Sequence, residues 1–217
     1  MNNYTIAKQI TTDAGIQLYL LNVSKNIRYC NQAMIPQTQM DEIMQYQFKQ
    51  DSDKRLLART FLYEYVFKHY RIDDFELDFN EYKKPFLKAA PNINFSFSYA
   101  KDYLLVGISG CKKVGVDIEY INPTLKIGEI ASEIMCPDEL RQFNSYSDDL
   151  SKQCIYFYNL FSAKESIIKS FGTGLYFDVK NLNILDNAGY CYMDGKFIYH
   201  GLGIWMNQYT LALCYEK

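Results

Sequence analysis

The spacing of apolar residues along the chain predicts where helices and strands lie. Strands are expected where apolar and polar positions alternate, and helices where apolar residues recur every three or four positions. This criterion predicts strands over residues 16–23, 75–79, 93–99, 103–109, 114–120, 182–185, 189–193, 196–199 and 208–215. It predicts helices over residues 38–49, 52–70, 125–135 and 150–171, with a short one from Pro137. Helices followed by strands, twice over, indicate an α+β fold with antiparallel sheets.

The predicted strand 114–120 carries two acidic residues on one face. Val114, Val116 and Ile118 alternate with polar positions, so Asp117 and Glu119 point away from this apolar set. Two carboxylates so close raise each other's pKa and repel unless a cation lies between them, and hard oxygen ligands suit Mg²⁺ or Mn²⁺. The alternative is a solvated edge face, which is the usual setting of an isolated Asp-x-Glu pair.

A third acidic residue falls on the inner face of the predicted helix 150–171. Glu165 comes four residues after Phe161 and three before Ile168, both of which belong to the apolar stripe. A carboxylate turned inward is costly unless it is paired or bound to a metal. Lys169, one turn later, offers an ordinary helical ion pair as the alternative to a metal.

Together the two segments resemble the two motifs of the Sfp-type 4′-phosphopantetheinyl transferase family. The family pattern is Gly-x-Asp, followed after a long gap by Trp/Phe-Ser/Cys/Thr-x-Lys-Glu-Ala/Ser-x-x-Lys. The chain has Gly115-x-Asp117 and then Phe161-Ser162-x-Lys164-Glu165-Ser166-x-x-Lys169, which matches every fixed position. The two-part match is far more specific than either half.

The resemblance implies a fold and an activity. The fold is two similar lobes related by a pseudo-twofold axis, residues 1–108 and 109–217, with coenzyme A in the cleft between them and the catalytic motifs in the second lobe. The activity is transfer of the 4′-phosphopantetheine arm of coenzyme A to a serine of an apo acyl, peptidyl or aryl carrier protein. Adenosine 3′,5′-bisphosphate is released.

The resemblance also implies roles for individual residues. Asp117, Glu119 and Glu165 hold Mg²⁺, with Mn²⁺ as the other possibility. Glu165 is the first candidate for the base that accepts the serine proton, and Glu119, or a water beside the metal, is the second. Lys169 stabilises or protonates the leaving phosphate, and Lys164 supplies a second cation nearby.

More loosely matched segments upstream imply further coenzyme contacts. The full set of expected coenzyme-binding residues is Arg55, Lys84, Ser96, Ser98, Lys164 and Lys169. The chain departs from the family pattern at Lys83, where the family has Gly before Lys-Pro, and at Phe97, where it has His. A basic pair found in some members also has no counterpart near residues 40–43. The loss of the His bears on recognition of the coenzyme's 3′-phosphate.

The composition of the chain limits the kinds of partner that the protein is expected to bind. The net charge of −2 argues against a nucleic-acid surface, which needs concentrated Lys and Arg. The chain has no run of eighteen apolar residues and no basic-then-apolar leader, and its six cysteines form no Cys-x-x-Cys motif. We therefore expect a cytoplasmic protein that does not contact a membrane. The two-lobed fold that the resemblance implies leads us to expect a monomer.

Two other functions fit the same residues. One is a catalytically weak member of the family that binds coenzyme A or a carrier protein without efficient transfer, as the changes at Phe97 and near residues 40–43 suggest. The other is a metal-dependent phosphohydrolase, in which the three acids activate water instead of a serine.

Overall fold

The computed structural model describes residues 4–174, 177–185 and 196–217. The chain divides into two compact units, Met1–Cys111 and Lys112–Lys217. Both units combine helices with antiparallel sheets, which confirms the predicted α+β class. None of the helices in the described ranges has the length and apolar character that a bilayer span requires.

The first unit contains a four-stranded antiparallel sheet and a small two-stranded ribbon. Its strands are β1 Ile6–Thr11, β2 Gln17–Asn22, β3 Leu77–Phe79, β4 Pro85–Leu87, β5 Asn94–Ala100 and β6 Tyr103–Ser109. Its helices are α1 Val23–Asn26, α2 Gln37–Met44 and α3 Lys49–Tyr70. The sheet order is β1-β2-β6-β5, and β3 pairs with β4.

The core of the first unit forms between α3 and the sheet. Leu57, Phe61 and Tyr65 recur every four residues on α3 and are buried, as are Leu104 and Val106 on β6. Because α3 begins at Lys49 and ends at Tyr70, it is longer at its start than the predicted helix 52–70.

The second unit contains a three-stranded antiparallel sheet and three helices in its described part. Its strands are β7 Val114–Tyr120, β8 Phe197–Trp205 and β9 Tyr209–Glu216. Its helices are α4 Ile127–Ile134, α5 Pro137–Asn144 and α6 Leu150–Phe171. The strand order is β7-β9-β8, so β9 is central, and Asp117 and Glu119 of β7 lie opposite Ala212 and Thr210 of β9.

Helix α6 lies very close to β7, and Gly115 is where they meet. A Cβ atom added at Gly115 would lie 2.0 Å from the backbone oxygen of Ser166 and 2.3 Å from the backbone nitrogen of Ser170. On the helix side Ser166 and Ser170 are small and fully buried, and each hydroxyl donates to the carbonyl three residues earlier in α6. Small residues on both elements therefore set the distance between the strand and the helix.

Several predicted strands need correction. The segment Leu182–Leu185 is not a strand; it follows a 3₁₀ turn, Val179–Asn181, and Leu182 is buried as part of a hydrophobic cluster, which explains its apolar character. The predicted strand 189–193 lies outside the described residues. The predicted strand 196–199 is longer and forms β8. The pattern also missed β1 and the short strand β4.

Candidate functional site

Strand β7 and helix α6 bring the ends of the two sequence motifs together. Asp117 lies on the same face of β7 as Gly115, the face against α6, and is 1% exposed. Lys169 lies one turn beyond Glu165 on α6, and its Nζ is 2.5 Å from Asp117 Oδ1. The predicted alternative partner of Lys169 was Glu165, but the ion pair it makes is with Asp117.

Glu119 and Glu165 are half-buried carboxylates near this pair. Neither makes a hydrogen bond or an ion pair with another residue in the described part of the chain. Burial, reinforced by the charges of Asp117 and Glu165 and opposed by Lys169, raises the pKa of Glu119 to about 8. Burial also raises the pKa of Glu165, with the charge of Asp117 adding to the effect and Lys169 opposing it. The three acids therefore form one electrostatically coupled group.

The donor chemistry of this group fits a divalent cation. Three carboxylates supply hard oxygen ligands, and two of them have hydrogen-bonding capacity that no described residue uses. Their side chains are not drawn together around one point, because within the described residues no three His, Cys, Asp or Glu side chains are close enough to share a metal ion. Lys169 supplies the positive charge next to Asp117 in this arrangement.

Lys164 is not available as the second cation near the phosphates. Its side chain is 0% exposed, and its Nζ lies 2.6 Å from Glu139 Oε2, 2.7 Å from the carbonyl of Ile134 and 3.0 Å from the carbonyl of Val179. These three acceptors use all three ammonium protons. Burial lowers the pKa of Lys164, and the carboxylate of Glu139 counteracts this. The structure thus gives Lys164 a role inside the protein rather than the expected contact with coenzyme.

Glu139 is a residue that the sequence analysis missed. It is also 0% exposed, and besides Lys164 it accepts hydrogen bonds from the backbone N–H of Cys136 at 2.9 Å and of Ile184 at 2.8 Å. The pair joins α6 to the start of α5 and to the segment after the 3₁₀ turn. The available signal was Pro137 followed by Glu139, an acid in the first turn of a helix, which usually indicates a cap rather than a buried ion pair.

The first unit holds the other predicted coenzyme contacts. Arg55, in the second turn of α3, has its Cζ 3.8 Å from the ring centroid of Tyr46 and donates to the carbonyl of Asp51 at 3.2 Å. Lys84 is half-buried at the end of a turn in which its N–H donates to Asn80 Oδ1 at 2.7 Å. Its neighbour Lys83 has φ of +65°, a left-handed conformation that explains why a glycine suits this position.

On strand β5 the two predicted serines and Phe97 lie on opposite faces. Ser96 and Ser98 share one face of the strand and are buried, at 7% and 5% exposure. Phe97 lies on the opposite face with Tyr99, partly buried against the core of the first unit. The guanidinium of Arg59, one turn after Arg55 on α3, is 5.9 Å from the centroid of the Phe97 ring.

Residues 113–214 match the family model described as the 4′-phosphopantetheinyl transferase superfamily. This part of the chain is therefore similar to the members of that superfamily. The matched segment contains the whole acidic group and Lys169, whereas Arg55, Lys84, Ser96 and Ser98 lie outside it.

Individual members of the superfamily extend the match upstream. A 4′-phosphopantetheinyl transferase of Bacillus subtilis is 28% identical over 145 residues, which cover 66% of this chain and 62% of that protein. The 4′-phosphopantetheinyl transferase ffp of Bacillus subtilis is 32% identical over 141 residues, covering 62% of this chain and 59% of that protein. For Sfp of Bacillus subtilis (strain 168) the identity is 29% over 161 residues, covering 71% and 67%. The matches thus span about three fifths to two thirds of these curated relatives.

Proposed function

We propose that this protein transfers the 4′-phosphopantetheine arm of coenzyme A to a serine of an apo acyl, peptidyl or aryl carrier protein. The observation that carries this proposal is the coupled group of Asp117, Glu119, Glu165 and Lys169 at the motif positions of the superfamily segment. The relatives above are named as 4′-phosphopantetheinyl transferases, which supports the same activity here. A cytoplasmic location and a monomeric state, both expected from the sequence, complete the proposal.

Asp117, Glu119 and Glu165 are the residues that would hold Mg²⁺, with Mn²⁺ as an alternative. The support is the donor chemistry of the group, together with the burial of Glu119 and Glu165, which raises the pKa of both carboxyls. When bound, the cation would neutralise charge on the diphosphate of coenzyme A and make its phosphorus a better electrophile.

The carboxylates also supply a base. The serine hydroxyl attacks the phosphorus that carries the pantetheine arm, and the hydroxyl proton passes to Glu165, directly or through a water, with Glu119 as the second candidate. The phosphorus–oxygen bond to the adenosine half breaks, and adenosine 3′,5′-bisphosphate leaves with the bridging oxygen. A carboxylate with a raised pKa is a stronger base than an ordinary one.

Lys169 is the residue proposed to act on the leaving group. Its side chain is 30% exposed while its partner Asp117 is 1% exposed, so the ammonium lies at the boundary between the protein interior and solvent. From this position it neutralises or protonates the phosphate oxygen that leaves. Arg55, Lys84, Ser96 and Ser98 of the first unit complete the proposed coenzyme contacts, and Lys164 is omitted because it is buried against Glu139.

The proposed function is tested by measuring, with mass spectrometry, whether a carrier protein gains the phosphopantetheine arm. Apo carrier protein incubated with the protein, coenzyme A and Mg²⁺ is expected to gain the mass of one phosphopantetheine arm, and a carrier whose acceptor serine is replaced by alanine is expected to gain nothing. Consumption of coenzyme A without a carrier would support the phosphohydrolase instead. Binding of coenzyme A with no mass gain on any carrier class would support the catalytically weak member.

A further inference from the structure

The buried ion pair of Lys164 and Glu139 joins helix α6 to several other segments of the second unit. Both side chains are 0% exposed, and Lys164 Nζ lies 2.6 Å from Glu139 Oε2. The pair also binds four backbone groups, two carbonyls that accept from the ammonium and two N–H groups that donate to the carboxylate. They belong to the end of α4, the start of α5, the 3₁₀ turn and the segment that follows it, at Ile134, Cys136, Val179 and Ile184.

Stability alone does not explain why a charged pair occupies this place. Moving two charges out of water costs free energy that their mutual attraction often fails to return, and apolar side chains of similar volume frequently stabilise a core as well. Hydrogen bonds differ from apolar contacts in having direction, because they weaken steeply when the distance or the angle changes. The hydrogen bonds of Lys164 and Glu139 therefore fix the position of this side of α6.

The sheet holds a different face of the same helix. Ser166 and Ser170 pack against β7 at Gly115, where there is no room for a Cβ atom. Ser170 Oγ also donates to Cys214 Sγ of the central strand β9 at 3.1 Å. Contact with backbone atoms at such close range leaves little freedom for the helix to shift on this side.

The two held faces of α6 leave the motif residues between them. An α-helix turns by about 100° per residue, so Ser166 and Ser170 lie on roughly the opposite side of the helix from Lys164. Glu165 and Lys169 project at about 100° and about 140° from Lys164, in the gap between the two held faces. A rotation of α6 that moves Glu165 would have to break the contacts of one face or the other.

We propose that Lys164 and Glu139 are positioning residues, which fix the rotation of α6 and thereby the direction in which Glu165 points into the acidic group. The proposal deepens the proposed function and rests on it, because Glu165 is there a metal ligand and the first candidate for the base. A displacement of about 1 Å at a reacting group can lower a rate by a factor of about 100. The loss of the pair should therefore affect chemistry more than it affects binding of coenzyme A.

The test separates the stability of the protein from the position of Glu165. Lys164→Met leaves Glu139 without its counter-ion, whereas the double variant Glu139→Gln with Lys164→Met has no buried charge and regains stability. We expect this double variant to keep a kcat for carrier modification at least about tenfold below that of the parent protein, with the KM for coenzyme A nearly unchanged. The Tm of each variant sets an assay temperature at which it is folded. Recovery of the full kcat together with stability would overturn the proposal.

Phe143 of α5 provides the matched control. It is 3% exposed, and its ring centroid lies 6.5 Å from that of Phe157 on α6. Phe143→Ala weakens the packing of the same two helices but leaves both members of the ion pair in place. We expect the folded variant to keep the kcat of the parent protein. A loss of kcat equal to that of the double variant would overturn the proposal, since weaker packing of α5 on α6 would then be a sufficient cause.

Titration with Mn²⁺ gives a second readout that needs neither a carrier protein nor turnover. Residues that orient metal ligands commonly contribute a factor of about 10 to 100 to metal affinity. We expect the double variant to bind Mn²⁺ about tenfold more weakly than the parent protein, as measured from the electron paramagnetic resonance signal of the free ion, and Phe143→Ala to bind it equally well. Unchanged Mn²⁺ affinity in the double variant would overturn the proposal.

The outcome is separable from that of the transferase proposal. Weaker Mn²⁺ binding in the double variant, with parental affinity in the control, would support the positioning role even if no carrier is modified. Conversely, a double variant that modifies the carrier at the full rate would keep the proposed function and reject the positioning role of Lys164 and Glu139.

Discussion

Lys169 Nζ lies 2.5 Å from Asp117 Oδ1, which joins the last residue of the helix motif to the last residue of the strand motif across 52 positions of sequence. The buried carboxylate needs this charge, because an uncompensated ionised group in the interior costs several kcal/mol. A cation held by the three acids would add positive charge beside Asp117, which Lys169 compensates in this ion pair. Asp117 of the strand motif therefore depends on Lys169 of the helix motif for its counter-charge.

Replacement of Asp117 or Glu165, two of the proposed metal ligands, should nearly abolish transfer. We expect Asp117→Ala and Glu165→Ala to lower Mg²⁺-dependent modification of a carrier by a factor of about 100 or more, as loss of a charge-stabilising group commonly does. Circular dichroism should stay unchanged. Glu133→Ala, at an acid whose side chain is 74% exposed in the same unit, should keep full activity. Full activity of either ligand variant would reject the metal assignment.

Gly115 should tolerate no side chain. We expect Gly115→Ala to lower the free energy of unfolding by about 2 to 3 kcal/mol, because the added Cβ would meet backbone atoms of α6 that cannot move independently. Gly128 is the control: it lies in the first turn of α4 with no atom within 4 Å of an added Cβ. Gly128→Ala should instead raise the stability by about 0.5 to 1 kcal/mol. If urea denaturation gave the same change in the free energy of unfolding for both variants, the close contact between Gly115 and α6 would be contradicted.

The buried pair of Lys164 and Glu139 should show strong coupling. Lys164→Met leaves a buried carboxylate without its counter-ion and should destabilise the protein by about 3 to 5 kcal/mol. The double variant Glu139→Gln with Lys164→Met has no buried charge, so it should be more stable than Lys164→Met alone. Purely additive effects in denaturant unfolding would show that the two groups do not interact.

Glu119 should make stability depend on pH in the absence of metal. Its pKa is raised from the ordinary value of 4.5 to about 8, so between these values the folded protein keeps a proton that the unfolded chain has lost. The folded state binds more protons, and stability should fall as the pH rises through this window. Urea denaturation in EDTA should show this slope, and Glu119→Gln should reduce it. An unchanged slope in the variant would assign the effect to another group.

The same proton should oppose Mg²⁺ binding. A carboxylate must lose its proton to act as a ligand, so the affinity for Mg²⁺ should increase as the pH rises towards the raised pKa of about 8, with release of a proton on binding. Calorimetry in buffers with different ionisation enthalpies measures this release. Affinity that does not change with pH would indicate that Glu119 is not a ligand.

The sequence predicted the parts of the molecule whose pattern is local. Helix α6 and strands β6 and β7 have the predicted boundaries, because their periodicity is long and uninterrupted. Leu182 was placed in a strand because a short apolar run does not distinguish a strand from a buried loop. Strand β1 has no fully buried residue and β4 is only three residues long, so neither has a clear alternation of apolar and polar positions in the sequence.

In the candidate site, too, the sequence predicted what depends on local pattern and missed what depends on tertiary packing. Asp117 and Glu165 were identified from spacing, since period 2 on a strand and inner-face position on a helix are properties of the sequence. The partner of Lys164 could not be found this way, because Glu139 is 25 positions away in sequence, outside any helical repeat, and becomes buried only when α5 packs on α6. The contact of Arg59 with Phe97 likewise depends on tertiary packing.

The most direct test of the central claim is the release of adenosine 3′,5′-bisphosphate, counted against modified carrier protein. With coenzyme A, Mg²⁺ and an apo carrier, we predict one molecule of nucleotide for each carrier serine modified. We predict none when the carrier lacks its serine, when EDTA is present, or when Asp117 is replaced by alanine. Nucleotide release that continues without an acceptor serine would contradict the account, because the acidic group would then be activating water.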